Sequence, residues 1–260
     1  KIGYPVVVKP SDSTGSKGVR YVDNPDLIGS AAIAAMQYSK TGIGIIEKFI
    51  KGPEISVEGF VVNGRLIIIC LSDKQRTEPP YLLDTSVHFP TVLSNNQQDL
   101  VKEIAIIAVR ACGLDNCPVH MELIMSANGP MVVELAARGP GFKVFTDILP
   151  YVTGVDMVHT QIQIALGEEP NFRLGNPMKG AVIKFLSPIE GKLKVVKGLK
   201  AARAIDGIVE VEIYIVEGDK MGQLTCGMDR VGHIIAYGSC RNHADEIMKS
   251  ALNEIKLEVE

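Results

Sequence analysis

Apolar runs along the chain predict most of its strands, because a half-buried strand alternates between apolar and polar residues and a fully buried one is apolar throughout. In the first two thirds, strands are predicted at residues 4–8, 43–50, 55–62, 65–71, 119–125 and 131–135. Asn63-Gly64 joins the third run to the fourth, and Asn128-Gly129 lies between the last two. Asn-Gly between two strand-like runs is a strong signal for a β-hairpin, so the sequence predicts two hairpins.

Apolar residues at helical spacing predict three helices in the same region, at residues 27–38, 94–112 and 156–166. Ser94 or Asn95 is the expected cap of the second helix, and Gly167 ends the third. Residues 73–90 contain Pro, Thr and charges without any period, which predicts a loop.

Chain breakers cluster at Gly175-Asn176-Pro177, and we interpret this cluster as a domain boundary. Beyond it, strands are predicted at residues 181–185, 208–216 and 233–238, and helices at residues 199–204 and 244–255. The sequence therefore predicts an α+β fold that ends in a small α+β domain.

Composition narrows the class of protein. The chain has 260 residues, 46% of them apolar and 22% charged, with a net charge of −3. This balance is that of an ordinary globular protein, without the basic excess of a nucleic-acid binder. No apolar run approaches the roughly 20 residues needed to cross a membrane. Five cysteines without metal-binding spacing predict reduced thiols, most of them in the core, in a cytoplasmic protein.

A lysine at the end of the first predicted strand precedes a loop rich in serine and glycine. Lys9 is followed by residues 11–18, which include Ser16 and Gly18. Such a loop exposes backbone N–H groups that can hold phosphate oxygens, and the lysine adds a positive charge. Because the stretch lacks the Gly-Lys-Ser/Thr of a Walker motif, a plain hairpin loop is the alternative.

Two glutamates flank an extended linker with a Gly-Pro break. Glu47 begins the stretch Glu-Lys-Phe-Ile, and Glu54 follows Gly52-Pro53. Free backbone groups in such a linker could pair with the edge of a purine, and the carboxylate beyond it could hold ribose hydroxyls. A charged strand end is the alternative interpretation.

Two further glutamates occupy apolar strands. Glu122 and Glu134 flank the second hairpin turn almost symmetrically, so pairing would place them about 5 Å apart on one face. Two such carboxylates repel unless a cation lies between them, and Mg²⁺ binds one or two carboxylates together with phosphate oxygens. Arg138 enters the glycine turn that follows and could stabilise charge on a phosphoryl group or an oxyanion. A solvated glutamate pair and a structural arginine are the alternatives.

Other polar residues are weaker candidates. His120 is either a hydrogen-bonded structural histidine or a substrate contact. Arg230 is expected to bind a carboxylate locally rather than to reach a site. The loop at residues 73–90, with Asp73, Lys74, Arg76 and His88, is expected to border an acceptor pocket.

The order of these features resembles that of the ATP-grasp superfamily, and in particular its carboxylate–amine ligases of the L-amino-acid ligase type, which are related to carbamoyl-phosphate synthase. The matching stretches are residues 3–19, 47–59, 120–141, 153–170, 185–193 and 229–238. The resemblance implies ATP-grasp lobes followed by a small C-terminal α+β domain. We expect a partial small lobe at 1–48, a large lobe at 49–175 and the C-terminal domain at 176–260.

The resemblance also implies roles for individual residues. Lys9 would contact an ATP phosphate or adenine N7, and the loop around Ser16 and Gly18 would close over the phosphates. The adenine would lie against Glu47, Lys48, Phe49 and Ile50, and the ribose against Glu54. Glu122 and Glu134 would hold Mg²⁺, or Mn²⁺ in its place, and Arg138 would stabilise an acyl-phosphate and its tetrahedral successor.

The chain departs from the family pattern in two ways. Ala136 stands where the family commonly has an asparagine metal ligand. The family's N-terminal domain and the first part of its ATP lobe, with another ATP-contacting lysine, have no counterpart, so the chain is expected to be a fragment.

The activity expected from the resemblance is ATP-dependent formation of an amide from small-molecule carboxylate and amine substrates through an acyl-phosphate. Such enzymes often form homodimers. Two alternatives remain, a bicarbonate-activating enzyme like carbamoyl-phosphate synthase or biotin carboxylase, and an ATP-binding module without catalysis.

Overall fold

A computed structural model describes residues 2–175 and 178–260 of the chain. Its fourteen strands are β1 (Val6–Pro10), β2 (Arg20–Val22), β3 (Gly44–Lys48), β4 (Glu54–Val62), β5 (Arg65–Arg76), β6 (Asp84–Phe89), β7 (Cys117–Ser126), β8 (Gly129–Ala136), β9 (Gly180–Leu186), β10 (Gly191–Lys197), β11 (Ile208–Ile213), β12 (Lys220–Met221), β13 (Gly232–Gly238) and β14 (Lys256–Val259). Its six α-helices are α1 (Ile28–Met36), α2 (Asn95–Ala111), α3 (Leu149–Thr153), α4 (Met157–Ala165), α5 (Leu199–Arg203) and α6 (Arg241–Glu254).

The N-terminal strands form a small separate sheet with the order β2-β1-β3. Alternate residues of β1, Val6 and Val8, are buried against Ala31 and Ala35 of α1. The other face of β1 therefore carries Val7 and Lys9. Both α1 and β3 lie close to the predicted bounds, so the sequence pattern specifies this unit well.

The largest sheet has eight antiparallel strands in the order β11-β13-β9-β6-β5-β4-β7-β8. The amphipathic helix α2 packs its buried residues Val101 and Ala105 against Val57 and Met121 on one face. A second core, which includes Phe60, Phe89, Ile148 and Ile183, joins this sheet to a π-helical turn at Val144–Ile148 and to α3 and α4. The two predicted hairpins, β4–β5 and β7–β8, are confirmed.

The C-terminal residues complete the large sheet and add a third sheet, β12-β10-β14. Helix α6 packs on β13 and β9, with Ala244 and Met248 against Ile234 and Val182. A Cβ on Gly238 would lie 2.4 Å from Ala244 N, so only glycine allows this close approach of strand and helix. No helix of the described residues is both long and apolar enough to span a membrane.

The prediction of a loop at residues 73–90 is wrong over most of its length. β5 runs on to Arg76 and β6 covers Asp84–Phe89, paired with Asp73 opposite His88 and Lys74 opposite Val87. Charged residues are stable in these strands because they form ion pairs with neighbours distant in sequence. β10, β12 and β14 were also not predicted, and they pair only through tertiary contacts.

Two other expectations concern the cysteines and the domain boundary. All five cysteines are free, but only Cys70 and Cys226 are buried, so the expectation that most lie in the core is wrong. Of the predicted boundary Gly175-Asn176-Pro177, the last two residues lie outside the described ranges. The division into three domains remains a prediction.

Candidate active site

Glu122 of β7 and Glu134 of β8 are direct partners in the antiparallel register, as the sequence predicts. Glu122 also pairs with Ser56 of β4, which pairs in turn with Ser72 of β5. The four residues therefore form one row across the sheet. Ser56 Oγ and Ser72 Oγ are buried and have no hydrogen-bond partner among the described residues. The row is therefore a polar strip across one face of the sheet, ending at the exposed Glu134.

Two neighbouring rows extend this polar face. Glu54 pairs with Lys74 in one of them, and Glu58 pairs with His120 in the other. Glu54, Ser56 and Glu58 are polar residues at alternate positions of β4, so the pleat places all three on the same face. Residues 54–58 read EISVE, and their alternating polar residues indicate this face in the sequence. Only Glu54 of the three was named as a candidate from the sequence.

A buried lysine connects the acidic residues of this face. Lys74 Nζ lies 2.8 Å from Asp84 Oδ2 and 3.3 Å from Glu54 Oε1, and it also bonds Glu122 Oε1. Arg76 Nη1 lies 2.6 Å from Glu54 Oε2. Such a buried network holds its members firmly, because any charge left without its partner costs several kcal/mol.

The protonation of the cluster follows from burial and from these pairs. Burial raises the pKa of Glu54 to about 7, against the opposing charge of Lys74. Burial also acts to raise the pKa of Glu122, but the charge of Lys74 and the hydrogen bond from His120 outweigh it and hold that pKa below its usual range. Burial alone would lower the pKa of His120, yet Glu58 and Glu122 raise it to about 10.

The contacts of Glu122 test whether a metal ion fits here. Lys74 and His120, the latter at 3.4 Å, both contact Oε1 of Glu122. Among the described residues, Oε2 has no ion-pair partner, and the carboxylate of Glu134 opposite is exposed. Two carboxylates with free oxygens are a suitable set for Mg²⁺, which takes its remaining ligands from water and phosphate.

Ala136, the position where an asparagine ligand is common in the family, is the register partner of His120. His120 Nδ1 in turn lies 2.9 Å from Glu58 Oε1, so this histidine is hydrogen-bonded within the site.

Of the predicted nucleotide contacts, Lys9 and Glu47 form an ion pair. Lys9 Nζ is 2.6 Å from Glu47 Oε2 and donates to Val133 O of β8 at 3.3 Å. Lys48 donates to Tyr4 O, and Phe49 N donates to Pro5 O. Ile50 lies just beyond β3, in the linker to β4. The linker thus starts beside the lysine strand.

Glu54 has a different environment from the one predicted. It is 4% exposed, and its two oxygens are bound by Lys74 and Arg76. This arrangement disfavours the ribose contact, because a hydroxyl group would have to displace a buried ion pair.

The glycine-rich loop is anchored at its base and at its tip. Asp12 accepts hydrogen bonds from Ser39 Oγ, Lys40 N and Thr41 N, which fix the base. Gly18 has φ +75°, and a Cβ there would lie 3.1 Å from Ala35 Cα, so glycine is required. Ser16 also adopts a positive φ. At the tip, Gly15 O accepts a hydrogen bond from Gly227 N in the C-terminal region.

Arg138 is exposed, two residues beyond the end of β8, and its Nη1 donates to Gly139 O at 3.0 Å. A Cβ on Gly139 would lie 2.3 Å from the Phe145 ring, so the turn depends on glycine. Arg138 has no carboxylate partner among the described residues, which leaves its guanidinium available.

The expected acceptor-pocket residues are divided between the two faces of the sheet. Lys74 and Arg76 face the acidic cluster, whereas Asp73 and His88 lie on the other face with Arg241 and Asp245 of α6. Expecting all four at one pocket was wrong, because neighbouring residues of a strand point in opposite directions. Asp84 belongs to the cluster and was not singled out from the sequence.

The family comparisons agree with this architecture. Residues 2–147 match the model of the ATP-grasp domain, and residues 184–260 match that of the L-amino acid ligase C-terminal domain 2. The chain therefore belongs to the ATP-grasp family. Within it, the C-terminal match assigns the chain to the group that carries the L-amino acid ligase C-terminal domain.

Several proteins are similar to the chain over part of their length, and a solved structure shares its fold. The chain is 25% identical to the uncharacterized protein y4rH of Sinorhizobium fredii over 98% of this chain and 53% of that protein. It is 28% identical to carnosine synthase 1 of Gallus gallus over 65% of this chain and 19% of the synthase. The crystal structure of L-amino acid ligase from Bacillus licheniformis has the same fold, with a TM-score of 0.85 at 21% identity over 100% of this chain and 66% of that one. The chain spans about half or less of the length of these curated relatives.

Proposed function

We propose that the protein is an ATP-dependent carboxylate–amine ligase that forms an amide bond through an acyl-phosphate. The observation that carries this proposal is the pairing of Glu122 with Glu134 on a polar face that Lys74 and His120 hold in place. The glycine-rich loop and the Arg138 turn belong to the same chain and supply the further groups that phosphoryl transfer needs.

The proposed substrates are amino acids. One relative is named an L-amino acid ligase, and another a carnosine synthase. We extend only the class of substrate to this chain, with ATP as co-substrate. The cytoplasmic location and the homodimer remain predictions.

The proposed roles follow the geometry. Lys9, Ser16 and Gly18 bind phosphates, while Glu47 and the linker at residues 48–50 bind adenine. Mg²⁺, or Mn²⁺ in its place, would be held by Glu122 and Glu134 and would neutralise charge on the transferred phosphate. Lys74 fixes Oε1 of Glu122 and thereby directs Oε2 outward. We assign Glu54 to the support of Lys74 rather than to ribose.

The chemistry takes two steps. A carboxylate oxygen of the acid attacks the γ-phosphorus of ATP, the bond to the β,γ-bridging oxygen breaks, and ADP leaves. The amine nitrogen then attacks the acyl carbon of the mixed anhydride, phosphate departs with the bonding electrons, and the nitrogen loses a proton. Arg138 would stabilise the oxyanion of the tetrahedral species, and the closed glycine-rich loop would exclude water.

The test is ADP release by the intact gene product with pairs of amino acids, combined with hydroxylamine trapping of the acyl-phosphate. We expect at least one pair to stimulate ADP release and hydroxylamine to yield a hydroxamate. Arg138→Gln should lower kcat by about 10²–10³-fold, the size typical of a lost oxyanion contact, whereas the exposed Arg110→Gln should not. Stimulation by bicarbonate alone, or ATP binding without turnover for any pair, would refute the ligase assignment.

A further inference from the structure

Arg230 lies in a rigid turn between β12 and β13. Asp229 Oδ2 accepts hydrogen bonds from Thr225 N, Thr225 Oγ1 and Cys226 N, at 2.7 to 2.9 Å. Burial acts to raise the pKa of Asp229, but these bonds outweigh it and lower that pKa while they close the turn. The residue that follows, Arg230, is extended and only 9% exposed. Its side chain is therefore held inside the molecule by a fixed backbone.

Among the described residues, the Arg230 guanidinium has aromatic and carbonyl contacts but no ion-pair partner. Its Cζ lies 3.6 Å from the centre of the Phe185 ring and 5.2 Å from that of Phe142. Nη2 donates to the backbone carbonyl of Asp84 at 2.8 Å, while Nε is buried without a partner. No carboxylate of the described ranges, 2–175 and 178–260, lies within ion-pair distance of it.

A buried guanidinium without a paired carboxylate is costly, because burial removes the hydration of the charge and no anion in direct contact replaces it. Burial accordingly lowers the pKa of Arg230, and the more distant carboxylate of Asp84, which is already paired with Lys74, opposes the shift without cancelling it. Aromatic faces and one carbonyl offset only part of this cost. An anionic ligand would supply the missing charge.

Three candidate-site elements meet at this arginine. Asp84, whose carbonyl it binds, has its carboxylate on Lys74 of the acidic cluster. Phe142 belongs to the glycine turn after Arg138. Gly227 lies in the same turn as Arg230, and its N–H donates to Gly15 O of the glycine-rich loop. A Cβ on Gly227 would lie 3.2 Å from that oxygen and 3.7 Å from Arg230 Nη1. Arg230 Nη1 and the tip of the phosphate loop thus lie on the same side of Gly227.

We propose that Arg230 is an additional anion-binding residue of the active site and that it binds an oxyanion of the reacting ligands. That oxyanion is either the terminal phosphate of the nucleotide or the carboxylate of the acid. A guanidinium suits both, since its planar set of donors matches two oxygens at once. This inference rests on the proposed function and adds a contact from the C-terminal region to it.

Calorimetric titration of the intact gene product tests the inference. The probes are the Mg²⁺ complexes of ADP and of the β,γ-imido analogue of ATP, and the amino acid selected by the ADP-release assay. Replacing Arg230 by Gln should lower the affinity for the ligand that carries the bound oxyanion by roughly 10- to 100-fold. Weaker binding of the imido analogue with unchanged ADP identifies the terminal phosphate. Weaker binding of the amino acid alone identifies the carboxylate.

Two further variants keep the test decisive. Arg230→Lys retains the positive charge but not the planar pair of N–H donors, so it should lose part of the affinity. It also provides the test if Arg230→Gln does not fold. Arg203→Gln is the matched control, since Arg203 also donates to a carbonyl, Val211 O, at 2.9 Å. The inference is overturned, without the proposed function, if Arg230→Gln binds all three probes within about twofold of the wild-type affinity. It is overturned in the same way if the variant loses equal affinity for ADP and for the imido analogue. Absence of nucleotide binding by the wild type overturns the proposed function with it.

Discussion

Lys9 Nζ lies 2.6 Å from Glu47 Oε2 and also reaches Val133 O, next to Glu134 on β8. One side chain of the small N-terminal sheet therefore touches both the predicted adenine linker and the hairpin that carries the predicted metal ligands. Under the proposed function, a nucleotide bound at Lys9 would therefore lie close to β8.

Replacing Lys9 by Met should affect ligand binding far more than stability. Its ion pair with Glu47 is partly exposed, so its loss should cost about 1 kcal/mol or less of unfolding free energy. Loss of a charged contact to phosphate should weaken MgATP binding by roughly 10-fold or more. Calorimetry and urea unfolding measure the two effects. The exposed Lys40→Met serves as the control, and equal ATP affinity in both variants would contradict the role of Lys9.

Replacing Lys74 by Met should destabilise the fold strongly. The change leaves Glu54 and Glu122 without their shared buried cation, for which about 3–5 kcal/mol is the usual cost. Urea unfolding of the metal-free protein measures the loss. Lys102→Met, which breaks an exposed pair with Asp99, should cost about 1 kcal/mol at most.

If Lys74→Met loses no more than Lys102→Met, the cluster does not stabilise the fold. The double variant Lys74→Met/Asp84→Asn should regain part of the loss, because it also removes a carboxylate whose ion pair was with Lys74.

Replacing Glu134 by Gln should change the metal dependence without changing the fold. Glu134 is exposed, so the unfolding free energy of the variant should stay within about 0.5 kcal/mol of the wild-type value. The Mg²⁺ concentration for half-maximal ADP release should rise, since one of two ligands has lost its charge. Glu103→Gln on α2 is the control, and an unchanged Mg²⁺ requirement in Glu134→Gln would argue against a metal between Glu122 and Glu134.

The protein should lose stability below about pH 6.5 partly through His88. Burial lowers the pKa of His88, although its hydrogen bond to Asp245 opposes the shift, and Arg241 lowers it further. Below the unfolded pKa of about 6.5, the unfolded chain binds more protons at this residue than the folded one, so acidification favours unfolding.

Urea unfolding at about pH 7.5 and about pH 5.0, on either side of the unfolded pKa, checks this expectation. The decrease in unfolding free energy from the higher to the lower pH should be smaller in His88→Gln than in wild type. His243→Gln, at an exposed position on α6, should behave like wild type. An equal loss in His88→Gln would mean that His88 is not the group involved.

The sequence specified the hairpins because Asn-Gly turns and apolar alternation act locally. Glu122 and Glu134 were placed opposite each other for the same reason: the turn fixes the register. Lys74 and Asp84 could not be placed in this way. Their strands look like a charged loop until β4 and β7 supply Glu54 and Glu122, and until β5 pairs with β6 so that Lys74 and Asp84 meet.

Arg230 shows the same limit more sharply. In the chain it follows a short polar turn, and a local carboxylate was the expected partner. That expectation was wrong, since the described residues place it against two aromatic rings and the Asp84 carbonyl. Contacts between residues 146 positions apart carry no local signal.

By itself, the sequence determined the strands with regular alternation, the glycine positions of the glycine-rich loop and the set of candidate ligands, because these depend on local backbone preferences. Tertiary structure alone decided which charges share a face, which carboxylate oxygen stays free and which arginine is buried beside the loop. The physical reason is that charge pairing and burial depend on distances between strands, and these are fixed only when the whole sheet has formed.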